Sequence, residues 1–284
     1  MLSPAPRPRA IGATNVFASL LESRTGQQLD ANREWRIETA LKPVLRERGL
    51  DTLDQLAGEL LASRDNAVGN QIIDALLNQE TSFFRDAAVL DTVAQAVAAM
   101  QTMELNRRVR IWSAGCSSGQ EPLSLAMLFA ERPGGDDRLP EIVATDISEA
   151  SVMRGRAGRY SQFEIQRGLP VRRMVRWFET VNEEWVARPE LVRRIQFRQL
   201  NLVDDPLPIG RFDVILCRNV LLYFAPTMRR HVFARLAEVI RPGGLLVLGA
   251  GETVIGQTDA FRPSQTYRGL YEPTGVAQQG TAAA

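Results

Sequence analysis

The sequence predicts a doubly wound α/β sheet preceded by a small all-helical domain. Three observations carry this. From about Arg108 onward, short apolar runs alternate with stretches of helical spacing. Residues 15–78 show helical spacing and little that reads as strand. Between the first apolar run and the helical stretch after it lies a loop punctuated by Gly115 and Gly119. Small residues at the end of a strand let the backbone approach a ligand closely.

The elements follow in order. Residues 1–14, with Pro4, Pro6 and Pro8 in quick succession, read as a disordered lead. In the helical domain, residues 15–80, Leu20, Leu21, Trp35, Ile37, Leu41, Val44 and Leu45 recur near helical spacing. Pro43 predicts a kink or break, Gly49 a helix stop, and Asp51 an N-cap for the helix carrying Leu53, Leu56, Leu60 and Leu61. Val68 to Leu77 makes another short helix. The second domain spans 81–271. Its strands are Val109 to Ser113, Glu141 to Thr145, Gln196 to Leu200, Phe212 to Cys217 and Leu245 to Leu248. Helices run from Pro122 to Ala130, from a cap at Ser148, and from Thr227 to Ile240, the last closed by Pro242-Gly243-Gly244. Residues 160–195 fit the alternation poorly and read as an insertion, a helix followed by a small hairpin. Residues 272–284 read as a disordered tail.

Composition narrows the function. Lys+Arg and Asp+Glu nearly balance at 34 and 33, which argues against a general nucleic-acid binder. The two cysteines, Cys116 and Cys217, lie in separate apolar runs and form no paired-ligand spacing. They read as small buried hydrophobes, and no metal site is expected. His231 is the only histidine, so a mechanism needing two is excluded. No apolar run is long enough for a bilayer span and the N-terminus lacks the apolar core of a secretory signal, so a cytoplasmic protein is expected.

Four segments carry chemistry. The first is Ser113 through Pro122. Its spacing is Gly115-x-x-x-Gly119, not the G-x-G-x-x-G of dinucleotide sites, and Glu121 opens the helix. A carboxylate among those amides is poor company for a pyrophosphate; it suits a cofactor with a cationic amino-acid part. The second is Asp146, at the end of the next strand, where an acid can accept from both hydroxyls of a ribose. The third is the run from Phe212 to Phe224, which delivers Arg218 and Asn219 to the same crevice with Tyr223 close behind. The fourth, Gln79 to Arg85, lies at the domain junction. Spacing alone leaves open whether it walls a ligand site or caps the next helix.

Together these segments resemble the CheR family of chemotaxis receptor methyltransferases. The matching stretches are Glu80-Thr81-Ser82-Phe83-Phe84-Arg85-Asp86, Trp112 through Pro122, Ala144-Thr145-Asp146-Ile147, Asn201-Leu202, Cys217 through Phe224, and Leu248 through Thr253 with its Gly-x-Gly-Glu. The resemblance implies a Rossmann-like methyltransferase sheet with a small inserted β subdomain. It implies methyl transfer from S-adenosylmethionine to glutamate γ-carboxylates on the cytoplasmic domain of a chemoreceptor, giving S-adenosylhomocysteine. By position, Thr81, Arg85, Glu121 and Asp146 contact the cofactor, and Asn201, Leu202 and Asn219 line the adenine and nearby groups. Gly115 and Arg218 border the same crevice, and Arg85 and Tyr223 sit closest to the transfer. The sequence departs from the family in places. Gln79 stands where an Asn is common, and Gln120 replaces a common Glu. The stretch Phe178 to Leu191 contains no glycine, whereas some members carry a glycine-rich loop there for docking on a receptor's C-terminal peptide. A chain that works without that tether is therefore expected.

No general base is needed, because a glutamate is already ionised at pH 7 and a sulfonium is an activated donor. Arg36, Lys42, Arg46 and Arg48 on the N-terminal helices form either a docking face for an acidic receptor helix or a solvated charged face. The sequence leaves open the same chemistry on another sensory array; a nicotinamide-dependent oxidoreductase and a non-catalytic S-adenosylmethionine sensor fit less of it.

Overall fold

The computed structural model describes residues 12–29, 34–63, 66–103, 107–132, 139–204 and 210–275. The chain divides into two compact units, Met1–Asn78 and Gln79–Ala284.

The first unit contains helices α1 (Ala13–Thr25), α2 (Glu34–Arg48), α3 (Leu53–Ala62) and α4 (Ala67–Leu76). Phe17, Leu21, Ile37, Leu41, Val44, Leu56 and Ile72 form its core. Ala13 and Thr14, expected in a disordered lead, are helical; residues 1–11 of that lead lie outside the described residues. Pro43 does not break α2. Its ring is exposed, and a proline inside a helix costs about 3 kcal/mol. Burying Ile37, Leu41 and Val44 on the opposite stripe offsets this, at about 1.5–3 kcal/mol for each large apolar side chain. The cap of α3 is Thr52 rather than Asp51. Thr52 Oγ1 accepts from Gln55 N at 3.3 Å while Gln55 Oε1 accepts from the Thr52 and Asp51 amides, a reciprocal capping box. Arg48 turns inward to Glu59 and Gln71, which removes it from the expected basic face; Lys42 and Arg46 are exposed.

The second unit opens with α5 (Ala87–Met103). There follow β1 (Arg110–Ala114), α6 (Gln120–Ala130), β2 (Glu141–Asp146), α7 (Glu149–Ala157), β6 (Ile195–Gln199), β7 (Phe212–Cys217), α11 (Pro226–Val239), β8 (Ile240–Leu248), β9 (Phe261–Pro263) and β10 (Leu270–Pro273). The intervening elements belong to the insertion. The sheet order is β6-β2-β1-β7-β8-β10-β9. The first five strands are parallel, and β10 enters antiparallel between β8 and β9. Order reverses at β1, whose neighbours are β2 and β7. In open α/β sheets the ligand crevice lies at the strands' carboxyl ends beside such a reversal.

Alternation within the strands explains the two helical layers. Val214, Leu216, Leu245 and Val247 share a core with α5 and α6 residues such as Leu90, Val93, Leu123 and Met127. Ile215, Cys217, Leu246 and Leu248 face the other way, onto Val232, Phe233 and Leu236 of α11. A strand buried on both faces reads as an unbroken apolar run, which is why these strands were visible in the sequence. Pro242-Gly243-Gly244 does not close a helix before the strand. It lies inside β8, where the register with β7 shifts between Phe212 and Val214. Gly244 lacks room for a side chain there, since a Cβ would fall 2.8 Å from Asp213 O. The expected tail is ordered at its start, because β10 runs to Pro273; residues 276–284 lie outside the described residues.

The insertion is larger than a helix and a hairpin. It holds β3 (Arg159–Tyr160), α8 (Gln162–Gln166), α9 (Val171–Trp177), β4 (Phe178–Val181), β5 (Glu184–Ala187) and α10 (Pro189–Val192), with a sheet in the order β3-β5-β4. Asn182 and Glu183 turn the hairpin with φ of 50° and 64°, the left-handed conformation of a two-residue turn achieved without glycine. Phe83 packs edge-on against Tyr160 and Phe178, with centroids 5.0 and 5.6 Å away.

At the opposite edge from the crevice, Asp213 ties the starts of three strands together. It accepts from both Arg107 Nη atoms and from Arg110 N at 2.8 Å, and from Arg241 Nη1 at 3.2 Å. Burial pushes its pKa up, but these donors outweigh it and hold the carboxyl below its ordinary value. A depressed pKa adds stability above the unfolded value, and that stability is lost as pH falls through the folded one. Asp213→Asn should therefore cost about 2 kcal/mol near neutral pH. The gap to wild type should narrow in denaturant melts at progressively acid pH, with ligand affinity unchanged throughout.

Candidate functional site

Four carboxyl ends of adjacent strands, with the loops that leave them, converge at the switch point. After β1 the chain turns through Gly115 (φ 75°), Ser117 (φ 48°) and Gly119 (φ 94°) into α6. A Cβ on Gly115 would lie 2.4 Å from Val220 Cγ2, so this loop seats directly on the loop after β7. Asp146, at the end of β2, braces it. Its Oδ2 accepts from Ser117 N at 2.8 Å and its Oδ1 from Ser148 N at 3.0 Å. Ser148 Oγ caps α7 as expected. After β6, Asn201 folds a turn, accepting from Val203 N at 3.4 Å, while Leu202 is buried in the core beneath.

Behind the loop lies a cluster of charges around the buried Arg218. Glu121 Oε1 accepts from Ser113 Oγ at 2.8 Å and Oε2 from Arg218 Nη1 at 2.9 Å. Arg218 also donates to Arg85 O at 3.0 Å and to the carboxylate of Asp86. The Arg218 side chain is 2% exposed and that of Glu121 13%. Two carboxylates around one guanidinium leave a net negative charge beside the glycine turn, favourable to a cation there. Arg218 thus faces inward and organises its neighbours. Gln120 is also buried, and its Oε1 accepts from Ser118 Oγ at 2.9 Å; as an amide it takes this place without a second buried charge beside Glu121.

The segment Gln79 to Asp86 is built into this crevice. Gln79 O accepts from Ser117 Oγ at 2.8 Å, Phe84 N donates to Ser124 Oγ at 3.0 Å, and Phe83 N donates to Arg167 O at 3.1 Å. Phe84 and Asp86 adopt φ near 50°. Among the described residues, the Thr81 hydroxyl and the Arg85 guanidinium make no hydrogen bond or ion pair, and both side chains are half-buried. Tyr160 of the insertion supports the glycine loop from below, donating to Ser118 O at 2.8 Å; burial pushes its pKa up, so it remains a donor. Cys116 and Cys217 are buried, and burial raises both thiols, which leaves them unreactive.

After β7, Asn219 takes φ 58° and Leu221–Tyr223 form a 3-10 turn. Among the described residues, Asn219 Oδ1 is buried without a hydrogen-bond partner. His231 is half-buried on α11 with its ring 3.3 Å from Val203 O.

The structure brings Gln79, Thr81, Arg85, Gly115, Glu121, Asp146, Asn201, Arg218, Asn219 and Tyr223 to the loops of one sheet edge; Leu202 lies under it. Sequence reasoning missed Asp86, Tyr160 and Glu252. Asp86 and Glu252 stood inside matched segments, but their partners are 132 and 33 residues away. Tyr160 lay in the insertion and gave no signal.

A switch-point crevice with a glycine turn, an acid on the second strand and two carboxylates around a buried guanidinium suits a nucleoside joined to a cationic group. Residues 79–270 match the family model described as "CheR methyltransferase, SAM binding domain". The chain is 33% identical to chemotaxis protein methyltransferase 1 of Pseudomonas aeruginosa, over 90% of this chain and 95% of that one. It is 36% identical to the chemotaxis protein methyltransferase of Vibrio parahaemolyticus, over 86% and 90%. It is 28% identical to the chemotaxis protein methyltransferase of Borreliella burgdorferi, over 81% and 84%. The chain belongs to the CheR family of S-adenosylmethionine-dependent methyltransferases. Its residues fit that cofactor. The orphaned Asn219 Oδ1 can accept from an adenine amine, and the Glu121–Arg218–Asp86 cluster suits an ammonium.

Proposed function

We propose that this chain transfers the methyl group of S-adenosylmethionine to glutamate γ-carboxylates on the cytoplasmic domain of a chemoreceptor, forming methyl esters in chemosensory adaptation. The observation that carries this reading is Arg85, half-buried, with a guanidinium that has no protein partner among the described residues and a backbone carbonyl held by Arg218. A free guanidinium in a crevice already rich in carboxylates is a carboxylate receptor.

In this mechanism Asp146 holds the ribose hydroxyls, Asn219 the adenine edge, and Glu121 with Asp86 the ammonium. Gln79 and Thr81 close the crevice, and Arg218 keeps the cluster in register. Arg85 binds the incoming glutamate or the cofactor's own carboxylate, and Tyr223 orients the acceptor through its hydroxyl. The bound cofactor supplies a methyl group already activated on a sulfonium. Arg85 and Tyr223 would align the acceptor carboxylate with that methyl group, and the leaving thioether would keep the electron pair of the broken bond. No proton moves, so the protein's work is alignment, which contributes about 7–11 kcal/mol in well-oriented reactions. The carboxylates of Glu121, Asp86 and Asp146 each already accept from protein donors, consistent with holding roles. Arg85→Ala should lower transfer to a chemoreceptor signalling domain about 10- to 100-fold, the loss of one charged hydrogen-bonded contact. Full turnover in that variant would remove Arg85 from the mechanism.

The enzyme acts in the cytoplasm and without a C-terminal receptor tether. Among the described residues no helix is long and apolar enough to cross a membrane. The insertion turns at Asn182-Glu183 in two residues, with no glycine-rich loop from Phe178 to Leu191. Deleting the receptor's C-terminal tail should leave its methylation rate unchanged; abolished methylation would contradict this.

A further inference from the structure

Glu252 has a single carboxylate that gathers four backbone amides. Oε2 accepts from Asn219 N at 2.7 Å and Gly249 N at 2.8 Å. Oε1 accepts from Val220 N at 3.0 Å and Leu222 N at 3.2 Å. Three of these amides belong to the loop after β7 and the fourth to the loop after β8, so one side chain joins two neighbouring strand ends. An amide run of this kind, with Asn219 in the left-handed region, has no partner in a regular ladder; a carboxylate can satisfy all four N–H groups at once. The packing is close. A Cβ on Gly249 would lie 2.7 Å from Asn219 Nδ2 and 2.9 Å from Asn219 N. Arg229 braces the same loops from outside, donating to Leu221 O and Phe224 O at 3.1 Å and to Gln257 Oε1 at 3.2 Å.

We propose that Glu252 is a positioning residue for the methyl transfer: by clamping the amides of 219, 220, 222 and 249 it sets Asn219 for the cofactor and Tyr223 for the acceptor before either binds. It does not touch the reacting atoms. It acts through Asn219 on cofactor affinity and through the 3-10 turn on the placement of Tyr223. The clamp needs a carboxylate rather than any acceptor. Glutamine at 252 keeps one oxygen and sets an amide NH2 against two backbone N–H donors. The inference rests on the cofactor site described above and not on the identity of the methyl acceptor.

The test is a double-mutant cycle read by calorimetry with S-adenosylhomocysteine at a temperature where every variant is folded. The variants are Glu252→Gln, Asn219→Gly and the pair; glycine removes the Asn219 side chain while accepting the left-handed backbone. Glu252→Gln should weaken binding about tenfold or more, and the same change should cost threefold or less when Asn219 is already glycine. A lowered melting temperature with wild-type affinity in Glu252→Gln, or equal losses in both backgrounds, would overturn the proposal and leave Glu252 a structural residue. Wild-type protein that itself fails to bind S-adenosylhomocysteine would instead undo the cofactor assignment. Should the variant not fold, hydrogen exchange in the ligand-free wild type decides. The amides of 219, 220, 222 and 249 should be protected, and exchange near the unstructured rate would overturn the clamp.

Discussion

Arg218→Met is expected to lower the stability of the second unit by about 3–5 kcal/mol and to abolish S-adenosylhomocysteine binding at micromolar protein. The side chain is 2% exposed and holds Glu121, Asp86 and the Arg85 carbonyl in one cluster. Removing it leaves Glu121 as a charge without its guanidinium in a largely enclosed position, the costly half of a broken buried pair. For a domain of this size each kcal/mol shifts the melting temperature by about 2–4 °C, so a fall of roughly 6–20 °C is expected. A Glu121→Gln change added to Arg218→Met should restore part of the stability, since it removes the stranded charge. It should not restore binding, because the Arg85 segment has still lost its anchor. Melting and affinity both at wild-type values in Arg218→Met would show that the cluster is not the organising element described above.

Asp146→Ala is expected to weaken S-adenosylhomocysteine binding at least about 100-fold with a smaller loss of stability. Two effects add. The carboxylate would no longer accept from the ribose hydroxyls, and hydrogen bonds to a charged group contribute about 1.5–3 kcal/mol each. The Ser117 and Ser148 amides would also lose their acceptor, so the glycine turn would loosen where the ligand approaches. Asp146→Asn separates the two. An asparagine retains one acceptor oxygen and should keep the loop better than it keeps the ligand. Calorimetric titration checks this, with NAD as control; the wild type should show no saturable NAD binding, since the turn spaced Gly115-x-x-x-Gly119 lacks the dinucleotide pattern. Unchanged affinity in Asp146→Ala would remove the ribose role.

Much of this fold was legible because its signals are local. Unbroken apolar runs such as Phe212 to Cys217 announce strands buried on both faces, and Gly115 and Gly119 bracket a turn whose positive φ values only small or specialised residues adopt easily. Asp146 was legible because the end of the second strand is a fixed place in a doubly wound sheet. What failed was local punctuation overruled by packing. Pro43 sits within α2 because the buried stripe around it outweighs one lost hydrogen bond, and Pro242-Gly243-Gly244 became a strand irregularity because β8 extends to pair Ile240 with Phe212. Within the site, the residues proposed to bind a ligand were named from their positions. Those that hold them, Glu252 and Asp86 above all, act across 33 and 132 residues of sequence, and only the folded chain shows which amides and which guanidinium they meet. Arg218 was read as a ligand-side residue for the same reason: its three partners come from segments that no spacing rule connects.

The central claim is that the acceptor is a glutamate carboxylate, and the chemistry of the product tests it most directly. The purified chain would be incubated with methyl-labelled S-adenosylmethionine and a chemoreceptor signalling domain, and the labelled protein treated with mild alkali. A carboxyl methyl ester releases its label as volatile methanol, and transfer should disappear when the modified glutamates are replaced by alanine. Label that survives alkali, or that stays on the receptor after those replacements, would mean a nitrogen or another acceptor and would contradict the proposed reaction.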